Sequence, residues 1–258
     1  RLAGTPLLRQ RLFQVDFLAT ASGQMLVTLI YHRRLEADWE ATARQLAADL
    51  GIGLIGRSRG QKIVLDRDWL LEEVDVDGRR LRYQQTENSF TQPNAGINRQ
   101  MLAWARRQAR GPGGSLVELY CGNGNFSLFL NQKGWRVYGV DLSREAIHAA
   151  RAHATPTTFF SAADCSLEVK KFAEKRRTFE AVLLDPPRVG ADERIWKNLA
   201  ALKPQKIIYV SCNPATFARD WARLKNELGD AKLLHVQPFD MFPQTFHVEL
   251  VAYAEAGD

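Results

Sequence analysis

One cysteine, Cys212, stands in the stretch VSCNP, where a predicted core strand ends and a proline turn begins. The apolar residues KIIYV before it predict a buried strand, and Pro214 with the residues after it predicts the start of a helix. A thiol at such a place can be stabilised as a thiolate by turn amides or by a helix N-terminus. Cysteine is also commonly buried for packing alone. Cys212 by itself therefore leaves two interpretations open, a nucleophile or a small buried hydrophobe.

A glycine-containing loop follows an earlier predicted strand, in the stretch LVELYCGNGNFSLFL. Ligands of open α/β sheets bind at the carboxyl ends of strands, where glycines let the backbone approach closely. The next predicted strand ends in Asp141, about 20 residues further on, where a ribose-binding carboxylate is expected. This spacing fits both NAD and S-adenosylmethionine. The loop lacks the third glycine of the dinucleotide fingerprint, and Glu118 and Asn125 suit an amino-acid tail better than a pyrophosphate. We therefore predict S-adenosylmethionine as the cofactor.

Two more acids follow predicted strands. Asp164, after FFSAAD, is expected either to contact the adenine edge or to cap a helix. Asp185 ends the strand in AVLLDPPRVG, and the two prolines after it fix φ and stiffen the turn. Methyltransferases of planar amino groups use a similar loop with an aromatic residue after the prolines, whereas this chain has Arg188. Arg188 favours contact with an RNA phosphate or a carboxylate, and a capping Asp with turn prolines is the alternative interpretation.

Glu249, in the apolar stretch HVELVAY, is the candidate general base. Burial among apolar neighbours raises a carboxyl pKa toward the working pH, which suits a base. His247 competes for the role, because the two-residue period of a strand places both side chains on one side. A solvent-facing alternation along the strand would also explain the acid.

A thiol, a methyl donor and a base together fit methylation of a pyrimidine at C5. This carbon is a poor nucleophile, and addition of a thiolate to C6 converts the ring to an enolate that can take the methyl group. The C5 proton must then leave before the cysteine is eliminated, so a general base is required. This reaction would give Cys212 and Glu249 complementary roles.

The elements that position these residues form two regions. From about residue 115, apolar runs of strand length alternate with helical segments, which predicts a parallel sheet covered on both faces. The predicted fold is therefore α/β. It has a Rossmann-like, class I SAM-dependent methyltransferase domain over residues 86–258 and a smaller N-terminal α+β module over residues 1–85. The stretch GPGG at residues 111–114 predicts a break in the larger domain.

The first module contains two predicted hairpins, one in FQVDFLAT and QMLVTLIYH and one around Asp77-Gly78. A helix is predicted in EADWEATARQLAADLG, which ends at a glycine. The residues expected on its apolar face are Trp39, Ala43, Leu46 and Leu50. Arginines and lysines of this module are interleaved with aromatic residues, a mixture that suits phosphate contacts and base stacking. We therefore expect the module to bind RNA, and a solvated basic face is the alternative.

Composition is typical of a globular protein, since 45% of the 258 residues are hydrophobic and 25% charged, and the length suits either one large domain or a principal domain with a smaller one. The net charge of +6 favours a polyanionic partner, although many basic proteins merely carry solvated lysines. Three scattered cysteines do not predict a disulfide framework, a zinc site or an iron–sulfur cluster. No apolar run reaches the roughly 20 residues of a membrane span. We expect a cytoplasmic monomer without metal, in which Cys121 and Cys165 are packing residues.

Five stretches in this order, SFTQPN, ELYCGNGNFSL, LLDPPR, VSCNP and FPQTFHVE, resemble the RNA (uracil-5-)-methyltransferase family. The resemblance covers nearly the whole chain, including LFQVDFLAT and LVTLIYHRRL in the first module. It implies that Cys212 is the nucleophile and that Glu249 removes the C5 proton. It also implies contacts to S-adenosylmethionine from Gln92, Tyr120, Asn125, Asp141 and Asp185.

The family that the sequence resembles has branches that act on rRNA and on tRNA. Relatives that act on rRNA usually carry a cysteine-rich iron–sulfur segment or an extra N-terminal β-barrel, and neither occurs here. The resemblance therefore favours the branch that forms ribothymidine in the T loop of tRNA. Family members often have Glu where this chain has Asp141, which keeps a carboxylate but shortens its reach.

Other functions are considered beside this one. An rRNA uracil-C5 methyltransferase would use the same chemistry. Cytosine-C5 RNA methyltransferases have two cysteines, one of them in a Pro-Cys near the Asp-Pro-Pro turn. The stretch AVLLDPPRVG has no cysteine, which argues against that class of enzyme. An RNA-binding or RNA-folding protein with the same fold is an alternative of a different class.

Overall fold

The larger part of the chain is described by a computed structural model, which covers residues 2–109, 113–131 and 134–257. Clustering of contacts divides the chain into two compact units. The smaller comprises residues 1–73 and 84–89, and the larger comprises residues 74–83 and 90–258. The domain boundary expected after residue 85 stays a prediction, and the break expected at residues 111–114 lies partly outside the described residues.

The smaller unit contains a four-stranded sheet of order β1-β2-β3-β4. Strands β1 and β2 form the predicted antiparallel hairpin, β2 and β3 run parallel, and β3 and β4 are antiparallel. The helices and strands that begin in residues 1–89 are α1 (Pro6–Arg9), β1 (Leu12–Ala19), β2 (Met25–Tyr31), α2 (Ala37–Leu50), β3 (Gly53–Ser58), β4 (Gln61–Val64), β5 (Trp69–Val76) and β6 (Arg79–Thr86).

The second predicted hairpin is also confirmed, since β5 and β6 pair in a two-stranded sheet of their own. Asp77 and Gly78 connect them with φ of 51° and 73°, the positive values that a tight hairpin turn of this type requires. The far end of this hairpin, residues 74–83, is counted with the larger unit, and its base with the smaller.

Helix α2 buries most of the predicted apolar face. Trp39, Ala43 and Leu46 lie in a core with residues of β2 and β3, and Gly51 ends the helix in the left-handed region. The prediction is wrong for Leu50, which is 43% exposed. Leu50 is the last helical residue, so the chain reverses before the face can continue into the core.

The larger unit is built on a seven-stranded sheet of order β12-β13-β11-β10-β7-β8-β9. Strands β7 to β11 are mutually parallel, and β13 is antiparallel to both of its neighbours. Its elements are α3 (Ala95–Gln108), β7 (Ser115–Leu119), α4 (Asn125–Asn131), β8 (Arg136–Asp141), α5 (Arg144–Ala152), β9 (Thr158–Ala162), α6 (Cys165–Glu174), β10 (Ala181–Leu184), α7 (Trp196–Ala200), β11 (Lys206–Ser211), α8 (Pro214–Leu228), β12 (Lys232–Phe239) and β13 (Glu249–Glu255).

This arrangement confirms the predicted doubly wound sheet, with hydrophobic cores on both faces. It differs from a simple doubly wound order because β13, the last strand, is inserted between β11 and β12. Strand β12 lies at the edge of the sheet and is exposed at every residue except Phe239. The final strand begins at Glu249, so His247 lies before it and not within it as predicted.

Candidate active site

The predicted site residues lie at one edge of the large sheet. Parallel strands β7, β8, β10 and β11 all end there, and the antiparallel β13 begins there. Leu184 of β10 pairs with Leu119 of β7, so Asp185 and Tyr120 follow neighbouring strand ends. The same edge therefore carries the glycine loop, the Asp-Pro-Pro turn and Cys212.

The register of β11 and β13 brings Cys212 and Glu249 together. Ser211 pairs with Leu250 in this antiparallel ladder, and one step further along it Cys212 comes opposite Glu249. Burial raises the pKa of the Cys212 thiol, and the negative charge of Glu249 raises it further. The two side chains are therefore close enough for their charges to interact.

Cys212 and Glu249 differ in how far they are buried. Glu249 is 4% exposed, and burial raises the pKa of its carboxyl group to about 8, with a smaller contribution from Asp185. This confirms the expected desolvation and excludes the solvent-facing alternative for Glu249. Cys212 is only partly buried, which leaves its sulfur accessible to a substrate. His247 is partly exposed and contacts the rings of Phe242 and Phe246.

The segment after Cys212 is held in a fixed turn. The Asn213 side chain accepts a hydrogen bond from the Ala215 amide, 3.1 Å away, and caps helix α8, which begins at Pro214. Proline suits the first helical position, because the amide it lacks would have no partner there. The predicted turn into a helix is thus present, and it places the thiol just before a helix N-terminus.

The glycine loop has the open backbone that close approach of a ligand requires. Tyr120, Gly122 and Gly124 all have positive φ, at 64°, 53° and 85°. The Gly122 amide donates to one oxygen of Asp141 at 2.9 Å, and the Ser143 amide donates to the other at 2.8 Å. Asp141 is therefore held between the loop and the start of α5, with its carboxylate at the strand end.

Asn125, at the start of α4, is locked by a residue that sequence reasoning missed. Its amide nitrogen donates to the Asn98 side-chain oxygen at 2.8 Å, and Asn98 donates back at 3.1 Å. Both residues are buried. Asn98 belongs to α3, which begins three residues after Gln92. An asparagine inside a helix was the available signal, because asparagine is unfavourable there unless its side chain has a partner.

Two acids beside the loop are disfavoured as anions. Glu118 is 1% exposed, accepts a hydrogen bond from the Ser127 hydroxyl, and has its pKa raised to about 8 by burial. Burial, with the charge of Asp141, raises the pKa of Asp185 to about 7. A ligand with positive charge at this place would stabilise the ionised forms. The sulfonium and ammonium groups of S-adenosylmethionine supply such charge, so the residues present fit this cofactor.

The tRNA (uracil-5-)-methyltransferase family model matches residues 1–159 and 164–256. This chain belongs to that family. A tRNA/tmRNA (uracil-C(5))-methyltransferase from Dechloromonas aromatica (strain RCB) is 47% identical over 265 residues, which cover 96% of this chain and 72% of the relative. A protein of the same name from Azoarcus sp. (strain BH72) is 44% identical, with 96% and 71% covered.

Solved structures agree with this assignment to the tRNA (uracil-5-)-methyltransferases. The Pyrococcus abyssi tRNA (uracil-54, C5)-methyltransferase in complex with S-adenosyl-L-homocysteine superposes with a TM-score of 0.73 at 26% identity, covering 92% of this chain and 58% of that chain. A SAM-dependent methyltransferase from Agrobacterium tumefaciens, at 11% identity and a TM-score of 0.58, shows the fold alone. It covers 95% of this chain and 91% of its own. The predicted family, the methyltransferase fold, an enzyme and S-adenosylmethionine as cofactor are thus confirmed.

Four other predicted positions have defined places in this family member. Gln92 is partly buried before α3, and its contact with the cofactor stays a prediction. Asp164 caps α6: one oxygen accepts from the Leu167 amide at 3.0 Å and from the Ser166 hydroxyl at 2.6 Å. These bonds confirm the capping interpretation and leave the adenine contact untested. Cys121 and Cys165 are buried, as expected of packing residues.

Two of the basic residues expected to bind RNA are used inside the smaller unit. The Arg57 guanidinium makes two hydrogen bonds to the buried Glu87, at 2.6 and 2.7 Å, and Lys62 Nζ lies 3.3 Å from the same carboxylate. These contacts hold the pKa of Glu87 below its ordinary value against the opposing effect of burial. RNA binding by the smaller unit stays a prediction.

The described residues contain no group of three or more His, Cys, Asp or Glu side chains placed to hold a metal ion. Among the same residues, no helix combines the length and the apolar character that crossing a membrane demands.

Stability should depend on pH through the buried acids. The ordinary pKa of Glu118 is 4.5, and in the folded protein it is raised to about 8. Between these values the folded protein holds a proton that the unfolded chain has released, so folding stability falls as pH rises through this window. We expect the melting temperature of the cofactor-free protein to decrease from about pH 5 to about pH 8, as measured by thermal unfolding.

Glu118→Gln provides the matched variant, because glutamine keeps the shape and can still bond Ser127 but does not ionise. The decrease with pH should be shallower in this variant. A melting temperature that rises over the same range, or that falls equally in both proteins, would contradict the assignment to Glu118.

Proposed function

We propose that this protein transfers a methyl group from S-adenosylmethionine to C5 of a uridine in tRNA, through a covalent adduct between Cys212 and C6. The observation that carries the proposal is the placement of Cys212 opposite the buried Glu249, beside the glycine loop and Asp185. A candidate nucleophile and a candidate base opposite one another, beside a loop suited to a methyl donor, match the chemical needs of this reaction.

The first step is addition of the Cys212 thiolate to C6 of the uracil ring. The electrons of the C5–C6 double bond move onto C5 and the C4 carbonyl oxygen, which makes C5 nucleophilic. Burial raises the pKa of the Cys212 thiol, the charges of Glu249 and Asp185 raise it further, and the charge of Arg188 opposes them. Helix α8 adds a positive N-terminus just after Cys212, which favours the thiolate.

When bound, S-adenosylmethionine would supply an electrophilic methyl group to C5 and would leave as S-adenosylhomocysteine. Glu249 then removes the C5 proton, the electrons of the C5–H bond restore the double bond, and the bond between C6 and the cysteine sulfur breaks. A carboxylate in an apolar environment is a stronger base than one in water, and a pKa of about 8 places Glu249 near neutral working pH.

The substrate is inferred from the family and from the printed names of the relatives. The two bacterial relatives are named as acting on tRNA and tmRNA, and the archaeal enzyme on uracil 54 of tRNA. The net charge of +6 is consistent with an RNA substrate. We propose the T-loop uridine of tRNA as the target.

The test is incubation of unmodified tRNA and rRNA with labelled S-adenosylmethionine, followed by mapping of the methylated base. We expect label at C5 of the T-loop uridine of tRNA, and no label in a tRNA transcript with cytidine at that position. Labelling confined to rRNA would show that rRNA, and not tRNA, is the substrate. Tight RNA binding without any methyl transfer would support the alternative of an RNA-binding or RNA-folding protein.

A further inference from the structure

The turn after Asp185 is tethered to helix α8 by a buried carboxylate, Asp220. Asp220 is fully buried, and its Oδ2 accepts hydrogen bonds from the Ala191 amide at 2.8 Å and from the Tyr209 hydroxyl at 2.6 Å. Its Oδ1 accepts from Arg219 Nε at 2.9 Å and lies 2.8 Å from Arg219 Nη2. The carboxylate thus joins the turn, strand β11 and helix α8.

Two further bonds connect the same turn to the same helix. Arg219 Nη2 donates to the Val189 carbonyl at 2.7 Å, and the Thr216 hydroxyl donates to the Arg188 carbonyl at 3.3 Å. Gly190, which follows Val189, has a φ of 88°. A Cβ at Gly190 would lie 2.2 Å from Arg219 Nη2 and 2.5 Å from Asp220 Oδ2, so the turn packs closely on this pair.

The position of α8 gives this network a link to the reaction. The helix begins at Pro214, two residues after Cys212, and its first two turns carry the tethers. Arg188 is an exposed residue of this turn, and its positive charge opposes the effects that raise the pKa of the Cys212 thiol. One helix therefore determines where the nucleophile lies and where the Arg188 turn lies.

We propose that Asp220 is a positioning residue that holds the Arg188 turn at a fixed place relative to Cys212. It acts through the turn, and it does not touch the reacting atoms. The proposal rests on the proposed role of Cys212 as nucleophile. A fully buried carboxylate with its hydrogen bonds satisfied is rigid, and removing it would leave the Ala191 amide, the Tyr209 hydroxyl and Arg219 without their acceptor.

Two variants separate positioning from simple stability. In Asp220→Ala the whole acceptor is lost. In Asp220→Asn the side-chain oxygen can still accept from Ala191 and Tyr209, while only the contact with Arg219 is lost. Arg219→Ala removes the hydrogen bond to the Val189 carbonyl. The Arg219 side chain is partly exposed, so this is the variant to use if Asp220→Ala does not fold. Arg223→Ala, on the same helix, removes only a peripheral contact of 3.5 Å to Glu193 and serves as the control.

The first readout is alkylation of Cys212 by iodoacetamide as a function of pH, followed by mass spectrometry, and it needs neither RNA nor cofactor. The charged groups that act on this thiol are Glu249, Asp185 and Arg188. Loss of the fixed Arg188 turn should shift the alkylation profile of Asp220→Ala and Arg219→Ala to higher pH. Asp220→Asn and Arg223→Ala should keep the wild-type profile.

The second readout is methyl transfer to tRNA. Misplacement of a catalytic group by about 1 Å can cost about 100-fold in rate, so we expect kcat of Asp220→Ala to fall about 10- to 100-fold, with rescue in Asp220→Asn. Wild-type alkylation profiles in Asp220→Ala and Arg219→Ala would overturn the proposal. A wild-type protein that alkylates normally but methylates no RNA would instead count against the proposed function.

Discussion

Replacement of Cys212 by alanine is expected to abolish methyl transfer to RNA and to prevent any covalent complex with RNA containing 5-fluorouridine. Fluorine at C5 cannot leave as a proton does, so an enzyme that attacks C6 is trapped on such RNA. Without the thiol, C5 is not activated, and we expect turnover to fall at least about 10,000-fold, as when other enzymes lose their nucleophile. The measurements are incorporation of labelled methyl groups and a gel shift of the protein–RNA adduct under denaturing conditions.

The controls for this variant test whether the site survives. Binding of S-adenosylmethionine, measured by calorimetry, should be retained, because Cys212 lies on β11 and the glycine loop follows β7. Cys165→Ala is the matched cysteine variant, since Cys165 is buried in α6, and it should still form the adduct. Methyl transfer by Cys212→Ala at a substantial fraction of the wild-type rate would exclude the covalent mechanism.

Replacement of Glu249 by glutamine should arrest the reaction after methyl transfer. Glutamine is nearly the same size and does not accept the C5 proton, so the methylated ring would remain bound to Cys212. General-base contributions are about 100- to 10,000-fold, and we expect turnover to fall by that amount. Accumulation of a denaturation-resistant complex that carries labelled methyl groups would be the decisive measurement.

Glu255→Gln is the matched control, because Glu255 ends the same strand β13, far along the ladder from Cys212. Its carboxylate accepts a hydrogen bond from the Tyr253 hydroxyl at 2.5 Å, a contact remote from the reaction. This variant should turn over normally. Product release by Glu249→Gln at the wild-type rate would exclude Glu249 as the base and return His247 to consideration.

The local sequence was sufficient to predict the position of a site residue that directly follows a strand. Cys212 and Asp185 both follow an apolar run that becomes a buried strand, and both strand ends lie at the active edge. The glycine loop was found in the same way, since positive φ at Gly122 and Gly124 is what these residues permit. Such features depend on a few neighbouring residues, so the sequence displays them directly.

Contacts between side chains distant in sequence could not be predicted from local sequence patterns. Asn98 pairs with Asn125 across two helices, and Asp220 reaches Ala191 from a helix that follows another strand. Asp220 belongs to no recognisable local pattern, and the only local signal for Asn98 is an asparagine within a helix. Each became functionally interesting only when the fold showed which polar group faces it.

The sequence by itself predicted the doubly wound class and identified the candidate nucleophile and the candidate cofactor loop, because strand-end residues and apolar periodicity are local properties. Only the tertiary structure decided which acid faces Cys212. That choice follows from the insertion of β13 between β11 and β12, and from a register that aligns Glu249 with Cys212 while His247 precedes the strand. Register is a property of two strands distant in sequence, and in a sheet a shift of one residue moves every side chain to the opposite face.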